Sequence, residues 1–579
     1  MKLELQHGSR SRILAGLILL VTAIFIVRLF YLQIIQHNYY VGLSNAEQVK
    51  RLKIPAKRGL IYALDGSTPV PLVLNQDVYT VFADPQTTQN NAKIIDTIQK
   101  IAGGNAEPNL QDRLNNKTSR YQILATRITR TQADLIKAQN LNGIGFQDLT
   151  QRVYPEGALA AQVLGFVDYS GNGQYGVEGG LNDQLKGKDG VLQAVTDVSD
   201  VPLTIGDKNI NTPAQNGTNE VLSIDRSVQS HAEQALADGI KRVKATNGSI
   251  LVMDPQSGKI LAMANVPSFS PADFTSVTDP AAFNNGVVSA PYEPGSDIKT
   301  LTLATGIEKG VIGLDSTYNN TDYIKVEDRV ISNAFKGQTG IITIQHALNW
   351  SLNTGFVTIA ERLGDGTSIT KEARDTMYNY FHNIFGLGSL TGIEVAGEVA
   401  GTVISPEQPD GNAVRYSNMS FGQGLDVTMI QVAAAFSSVI NGGHYYKPTV
   451  LAGTVDANGA YIPLPTPKPI RTTISKATSD QILQATQVAR CTFYCRQDKP
   501  GYSIGGKTGT SQTLVNGVYV DSQTVGTYLG YGGTDTPRYV IMVQVSGKNM
   551  NIEGGTDVEP IFSDMSNWMI DHLKLPPKG

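Results

Sequence analysis

Tyr292-Glu293-Pro294-Gly295-Ser296-Asp297-Ile298-Lys299 is the stretch that decides how this chain is read. It sets a hydroxyl and an amine three residues apart, directly after a Pro-Gly corner. The run behind it, Thr300 to Lys309, carries apolar residues at Leu301, Leu303, Ala304 and Ile307 and is expected to be helical. In a helix that starts near Ser296, this spacing brings Ser296 and Lys299 onto one face, a turn apart. A serine hydroxyl is a poor nucleophile until a neighbour takes its proton. A lysine that is desolvated, or close to another cation, loses its own proton readily and can be that neighbour. The helix start also leaves backbone N–H groups free to face a developing oxyanion.

Ser-x-x-Lys alone is a weak signal. It recurs at Ser368 and Lys371, where Ser368 reads as an ordinary helix N-cap. What sets Ser296 apart is its company: Ser351-Leu352-Asn353 downstream and Lys507-Thr508-Gly509-Thr510 much further on. Ser-x-Asn also recurs, at Ser170-Gly171-Asn172 in a glycine-rich loop, whereas Lys-Thr-Gly occurs once. The three elements come in the order and wide spacing of the penicillin-binding protein signature.

A chain of 579 residues is expected to fold as two or three units. Charged residues make up 17% and the net charge is −4, so there is no basic footprint for nucleic acid. The 58 glycines suit strands and loops better than a helical bundle. None of the seven histidines stands at metal-ligand spacing with another His or a Cys, so no metal and no cofactor is expected. No Gly-x-Ser-x-Gly elbow supports a serine–histidine hydrolase. Cys491 and Cys495, four residues apart, suit either a disulfide or two free thiols.

Residues 1–12 are short and polar, and Ile13 to Ile35 is long and apolar enough to span a bilayer. Arg28 interrupts that run near its far end, where a long side chain can snorkel. The run is too long for a cleaved signal peptide and is read as an anchor, with residues 1–12 cytoplasmic and the bulk outside. Residues 36–217 form a first extracytoplasmic domain, in which Arg152 and Glu178 are expected to pair structurally and Ser199 to Gly217 to serve as a link. From Thr218 on, strands are expected at Glu220–Ile224, Gly248–Met253, Lys259–Val266, Tyr502–Gln512, Thr524–Tyr531 and Arg538–Val545. Helices are expected at Ser227–Ala245, Ile341–Leu363, Val427–Ile440 and Ile561–Leu573. Strands at both ends with helices between them imply an α/β (α+β) chain whose second domain, 218–579, is one sheet with helices on its faces.

These residues resemble a class B penicillin-binding protein, a membrane-anchored peptidoglycan D,D-transpeptidase. Besides the three motifs, the resemblance includes Arg58-Gly59, Arg152 to Pro155, Gly176 to Gly190, Gly258 to Met263, Tyr292 to Gly295, Ser420-Phe421-Gly422-Gln423-Gly424 and Asn441-Gly442-Gly443. The Arg-x-Tyr-Pro stretch and the Tyr-Glu-Pro-Gly lead-in favour the division-type (FtsI-like) branch. The resemblance implies a pedestal or dimerisation domain ahead of a transpeptidase domain with a central five-stranded antiparallel sheet.

It also implies roles. Ser296 attacks the carbonyl between two terminal D-alanines of a stem peptide, and Lys299 takes its proton. The N–H groups of Ser296 and Thr510 hold the oxyanion. Ser351, aided by Lys507, returns a proton to the departing amine, and Asn353 holds the substrate amide. Thr508 and Thr510 grip the terminal carboxylate, and Gly509 leaves room for substrate backbone. Partners implied are peptidoglycan stem peptides, β-lactams, the membrane and a polytopic glycan polymerase (FtsW/RodA-like). Two motif positions depart from the family's habit. Asp297 stands where a small or apolar residue is usual and is expected to point away from the pocket. Leu352 replaces a small residue and is expected to narrow the cleft. The competing readings are a D,D-carboxypeptidase or β-lactamase-like hydrolase, in which water replaces the acceptor amine, and a non-catalytic β-lactam-binding scaffold.

Overall fold

The computed structural model describes residues 7–40, 49–195, 210–515 and 518–578. The described chain forms two compact units. One comprises residues up to 58 together with 187–217, and the other comprises 59–186 and 218–579.

The first unit holds helix α1 (His7–Phe30), continued by a short π-helical turn at Tyr31–Ile35. Residues Arg10 to Ile35 are long and apolar enough to cross a membrane, and none of that span is buried. The Arg28 guanidinium lies 5.5 Å from the centre of the Tyr31 ring. The same unit contains strand β1 (Val49–Ile54). Part of the expected link at 199–217 lies outside the described residues, and its end is not free chain. Ile210–Thr212 form a strand on Gly190–Val195, which in turn pairs with β1.

The second unit carries two larger sheets. In the first, β2 (Ile61–Asp65) turns at Asp65-Gly66 into β3 (Thr68–Ala83), which pairs with β4 (Gln122–Thr129) and β5 (Ile144–Val153). Buried Arg152 at the end of β5 bonds Glu178 at 2.6 Å, the expected pair, and donates to the Gly59 carbonyl. One expectation fails here. Strand β6 (Asn219–Asp225) does not enter the catalytic sheet. It runs parallel to β2, and β7 (Leu451–Val455) and β8 (Tyr461–Pro463) extend the sheet on its other side. The sheet of the N-terminal region is thus completed by strands from far along the chain.

The second sheet is five-stranded and antiparallel. Its strands are β9 (Asn247–Met253), β10 (Ile260–Val266), β11 (Ser503–Val515), β12 (Val518–Gly533) and β13 (Pro537–Ser546), in the order β10-β9-β13-β12-β11. Alternate residues face opposite sides. Ile250, Val252, Ile541 and Val543 pack under helices α2 (Arg226–Val243) and α8 (Glu559–His572). Leu251, Met253, Val540 and Met542 pack toward α3 (Lys299–Glu308), α6 (Met429–Ile440) and α7 (Lys476–Phe493). Both faces are covered, so β9, β10 and β13 are near-continuously apolar at their centres, whereas β11 and β12 carry the polar residues of the cleft side. All of α6 is buried, which explains its lack of a polar stripe.

Candidate active site

The nucleophile stretch forms a single 3-10 turn, Gly295–Ile298, that runs directly into α3 at Lys299. A 3-10 turn repeats every three residues, so Ser296 and Lys299 fall on one side of it. Gly295 has φ +58°, and its N–H donates to the Gly422 carbonyl at 2.9 Å. Gly422 also has a positive φ, and a Cβ there would lie 1.8 Å from the Gly295 oxygen. The glycines of Ser420-Phe421-Gly422-Gln423-Gly424 thus let a second loop close against the nucleophile's turn.

Ser351 was expected inside a continuous helix at 341–363. Instead, residues 340–343 form a short strand and the helix is split into α4 (Ile344–Asn349) and α5 (Asn353–Arg362). Ser351 lies in the break with φ +55°, a conformation that non-glycine residues adopt at a cost and that recurs at functional positions. The break points its hydroxyl at Ser296. Leu352 is fully buried in the core beside Phe356, so it supports the site from beneath and does not narrow the cleft.

Ser351 Oγ donates to Ser296 Oγ at 3.0 Å and accepts from Lys299 Nζ at 3.1 Å and Lys507 Nζ at 2.9 Å. Lys299, with no exposed surface, also donates to the Ser351 carbonyl at 2.7 Å and to Asn353 Oδ1 at 2.8 Å. The Asn353 amide is held in that orientation because its Nδ2 donates to the Ser332 carbonyl at 2.9 Å. The Lys299 Nζ lies 5.4 Å from the centre of the Phe356 ring, and no carboxylate pairs with it among the described residues. Burial therefore pushes the Lys299 amine well below the ordinary lysine range, and the Lys507 charge pushes it further down. Lys507 is lowered by its own burial, an effect the Asp297 carboxylate opposes.

A cleft of about 210 Å³ opens beside these groups. Ser296, Ser351, Asn353, Thr508 and Thr510 line it, together with Ala334, Phe335, Phe421 and Gln423. Lys299, Lys507 and Gly509 lie behind this wall. A Cβ at Gly509 would come 2.2 Å from Thr527 Oγ1 and 2.9 Å from the Pro294 carbonyl. The space left by Gly509 is filled by the nucleophile's own turn, and not by room for substrate backbone. Asp297 does turn away from the cleft, but inward: it is fully buried against β12, where its Oδ2 accepts from Thr527 Oγ1 at 2.7 Å. Thr527 and Phe335 had no signal in the sequence. The positions of Phe421 and Gln423 were signalled only by the glycines around them.

A model of the penicillin binding protein transpeptidase domain matches residues 248–567, and one of the penicillin-binding protein dimerisation domain matches 53–222. The chain belongs to the penicillin-binding protein transpeptidase family. A dimerisation domain ahead of the transpeptidase domain makes it a class B penicillin-binding protein. Stage V sporulation protein D of Bacillus subtilis is 29% identical over 98% of this chain and 87% of its own length. Peptidoglycan D,D-transpeptidase FtsI of Escherichia coli is 25% identical over 98% and 92%. Penicillin binding protein 3 of Mycobacterium tuberculosis, solved in complex with aztreonam, shares the fold with a TM-score of 0.67 at 24% identity, over 91% of this chain and 98% of that one. In this class B protein Cys491 and Cys495 are free thiols.

Proposed function

We infer that the chain is a peptidoglycan D,D-transpeptidase of the division-type branch. It cross-links stem peptides through an acyl-enzyme on Ser296 and releases the terminal D-alanine. The observation that carries this reading is the hydroxyl pair Ser296–Ser351 joined to a buried lysine that has no carboxylate partner among the described residues.

The donor inventory around Lys299 supports one proton path. The Ser351 carbonyl and Asn353 Oδ1 can only accept, so a neutral amine spends both its N–H bonds on them. Its lone pair then faces Ser351 Oγ. The hydroxyl bonds reverse from the resting arrangement: Ser351 O–H donates to Lys299, and Ser296 O–H donates to Ser351. As Ser296 Oγ attacks the scissile carbonyl, its proton passes to Ser351, and the Ser351 proton passes to Lys299. Lys299 acts as the base through Ser351. Collapse of the tetrahedral intermediate breaks the C–N bond, and Ser351, beside the Lys507 ammonium, returns a proton to the departing D-alanine amine. The N–H groups of Ser296 and Thr510 serve the oxyanion, where one donor is typically worth about 3 kcal/mol. Thr508 and Thr510, on the strand that carries Lys507, face the substrate carboxylate. An amine of a second stem then attacks the ester and forms the cross-link.

A β-lactam presents the same carbonyl to Ser296 and leaves a stalled acyl-enzyme. The span Arg10–Ile35 anchors the chain in the plasma membrane with its N-terminus inside and both the 36–217 and 218–579 regions outside. The chain acts at the division septum and meets a polytopic glycan polymerase through its anchor and first domain. The test is to give the full-length protein in detergent a cross-linkable glycan and measure dimeric stems by mass spectrometry. Release of D-alanine without dimers, in the presence of an acceptor amine, would establish hydrolysis instead. Loss of septal enrichment of a fluorescent fusion would remove the division assignment.

A further inference from the structure

Asp297 adjoins the nucleophile, and the reaction above does not use it. It occupies the turn residue next to Ser296 but faces the opposite way, into the contact between the turn and the sheet. Gly509 and Thr527 are directly paired across β11 and β12, and the Asp297 carboxylate rests on that pair. Its Oδ2 accepts from Thr527 Oγ1, and a Cβ on Gly509 would lie 3.0 Å from the same oxygen. Lys507 is two residues from Gly509 on β11 and shares its face of the strand. Oδ1 is buried with no hydrogen-bond partner among the described residues, although a carboxylate oxygen taken from water is costly to leave unpaired.

The charged and titratable groups facing this carboxylate can be named by element. On β11 it is Lys507, which favours the ionised form. In the segment before the turn it is the Tyr292 phenol, also buried without a partner, which Asp297 helps to keep protonated. On β12 it is the neutral Thr527 hydroxyl. Lys299, one turn away on α3, is pushed down by burial and by Lys507. Burial works against the Asp297 charge, and Thr527 and Lys507 work for it.

We propose that Asp297 is a positioning residue for acyl transfer, holding the Lys-Thr-Gly strand against the nucleophile's turn and acting as the buried counter-charge that keeps Lys507 an ammonium. This rests on the reading of Ser296 as the acylated residue. Removing an opposite charge makes a buried lysine give up its proton at lower pH.

The experiment is the acylation rate of the full-length protein by a fluorescent penicillin, followed from about pH 5 to about pH 10, together with the melting temperature. Asp297→Asn keeps the shape and removes the charge. Its rate should match the wild type on the acid side, where Asp297 is itself protonated, and fall away early on the alkaline side. That limb should move down by about one pH unit. Thr527→Val withdraws the hydroxyl that favours the carboxylate and should move the same limb in the same direction by less. A purely structural role would scale the whole curve and leave its limbs in place, and that result overturns the proposal. Should Asp297→Asn fail to fold, an unmoved alkaline limb in Thr527→Val overturns it alone. A wild type that is never labelled at Ser296 removes the underlying reading of function as well.

Discussion

The chain contains Ser-x-x-Lys twice, and the two copies have opposite physics. At 296–299 the lysine is fully buried, has no carboxylate partner among the described residues, lies near a second ammonium and is pushed toward the neutral amine. At 368–371 the Lys371 side chain is 56% exposed and bonds Asp375 at 2.9 Å and Glu407 at 2.8 Å, which push its amine up. Ser296 bonds another hydroxyl, whereas Ser368 donates to the Asp365 carboxylate at 2.8 Å. Ser368 is not the N-cap expected of it. Thr370 caps the helix Lys371–Tyr378, which leaves Ser368 in the preceding loop. Spacing therefore does not make a lysine a base. Loss of water around the amine, without gain of an acid beside it, does.

The comparison can be broken most severely by deleting the hydroxyls. Ser296→Ala should lose covalent labelling by fluorescent penicillin completely, while Ser368→Ala should label like the wild type. Label persisting on Ser296→Ala would end the assignment.

The amines come next. Lys299→Ala should slow acylation by about a thousandfold, while Lys371→Ala should leave the rate unchanged. Lys299→Met adds a thermodynamic reading. Because the folded-state pKa of Lys299 is lowered, the folded protein binds fewer protons than the unfolded chain, and stability rises as pH climbs toward the ordinary lysine value. Urea unfolding at a series of pH values should show this slope weakened in Lys299→Met. The corresponding slope should be absent from the comparison of Lys371→Met with the wild type.

A smaller effect sharpens the role of the second cation. Lys507→Gln removes a positive charge that depresses Lys299, so the acid limb of the acylation profile should move up by about one pH unit. An unmoved limb would mean that burial alone tunes Lys299. The smallest expected effect is on stability: Lys371→Ala should not measurably change the melting temperature, since exposed ion pairs contribute little.

Much of this was legible in the chain itself. In the catalytic sheet β9 and β10 show as apolar runs, β12 and β13 as alternating ones and β11 by the Lys-Thr-Gly motif it carries, and the hairpin Asn247–Val266 is marked by the turn Asp254 to Gly258. Arg152 and Glu178 suggested their pairing. What stayed hidden depends on partners distant in sequence. Strand β6 looks like any apolar strand, and only β2 and β7 decide which sheet it joins. The helical period over 341–363 is real on both sides of Ser351, but periodicity does not report one residue with φ +55°. The directions of Leu352 and Asp297 are not legible in their motifs, because a motif fixes neighbours along the chain, whereas the direction of each side chain is set by what lies behind the motif. For Asp297 that is Thr527, more than two hundred residues away.

The order of strands in the catalytic sheet has a consequence for biosynthesis. Its opening hairpin, β9–β10, must wait for β13, β12 and β11, which are encoded near the end of the chain. Pairings this remote close late. Along the chain Ser296 precedes Lys507 and Gly509 by more than two hundred residues, so a chain whose last strands are not yet in place carries an unarmed nucleophile, and acylating power arrives only when they zip in.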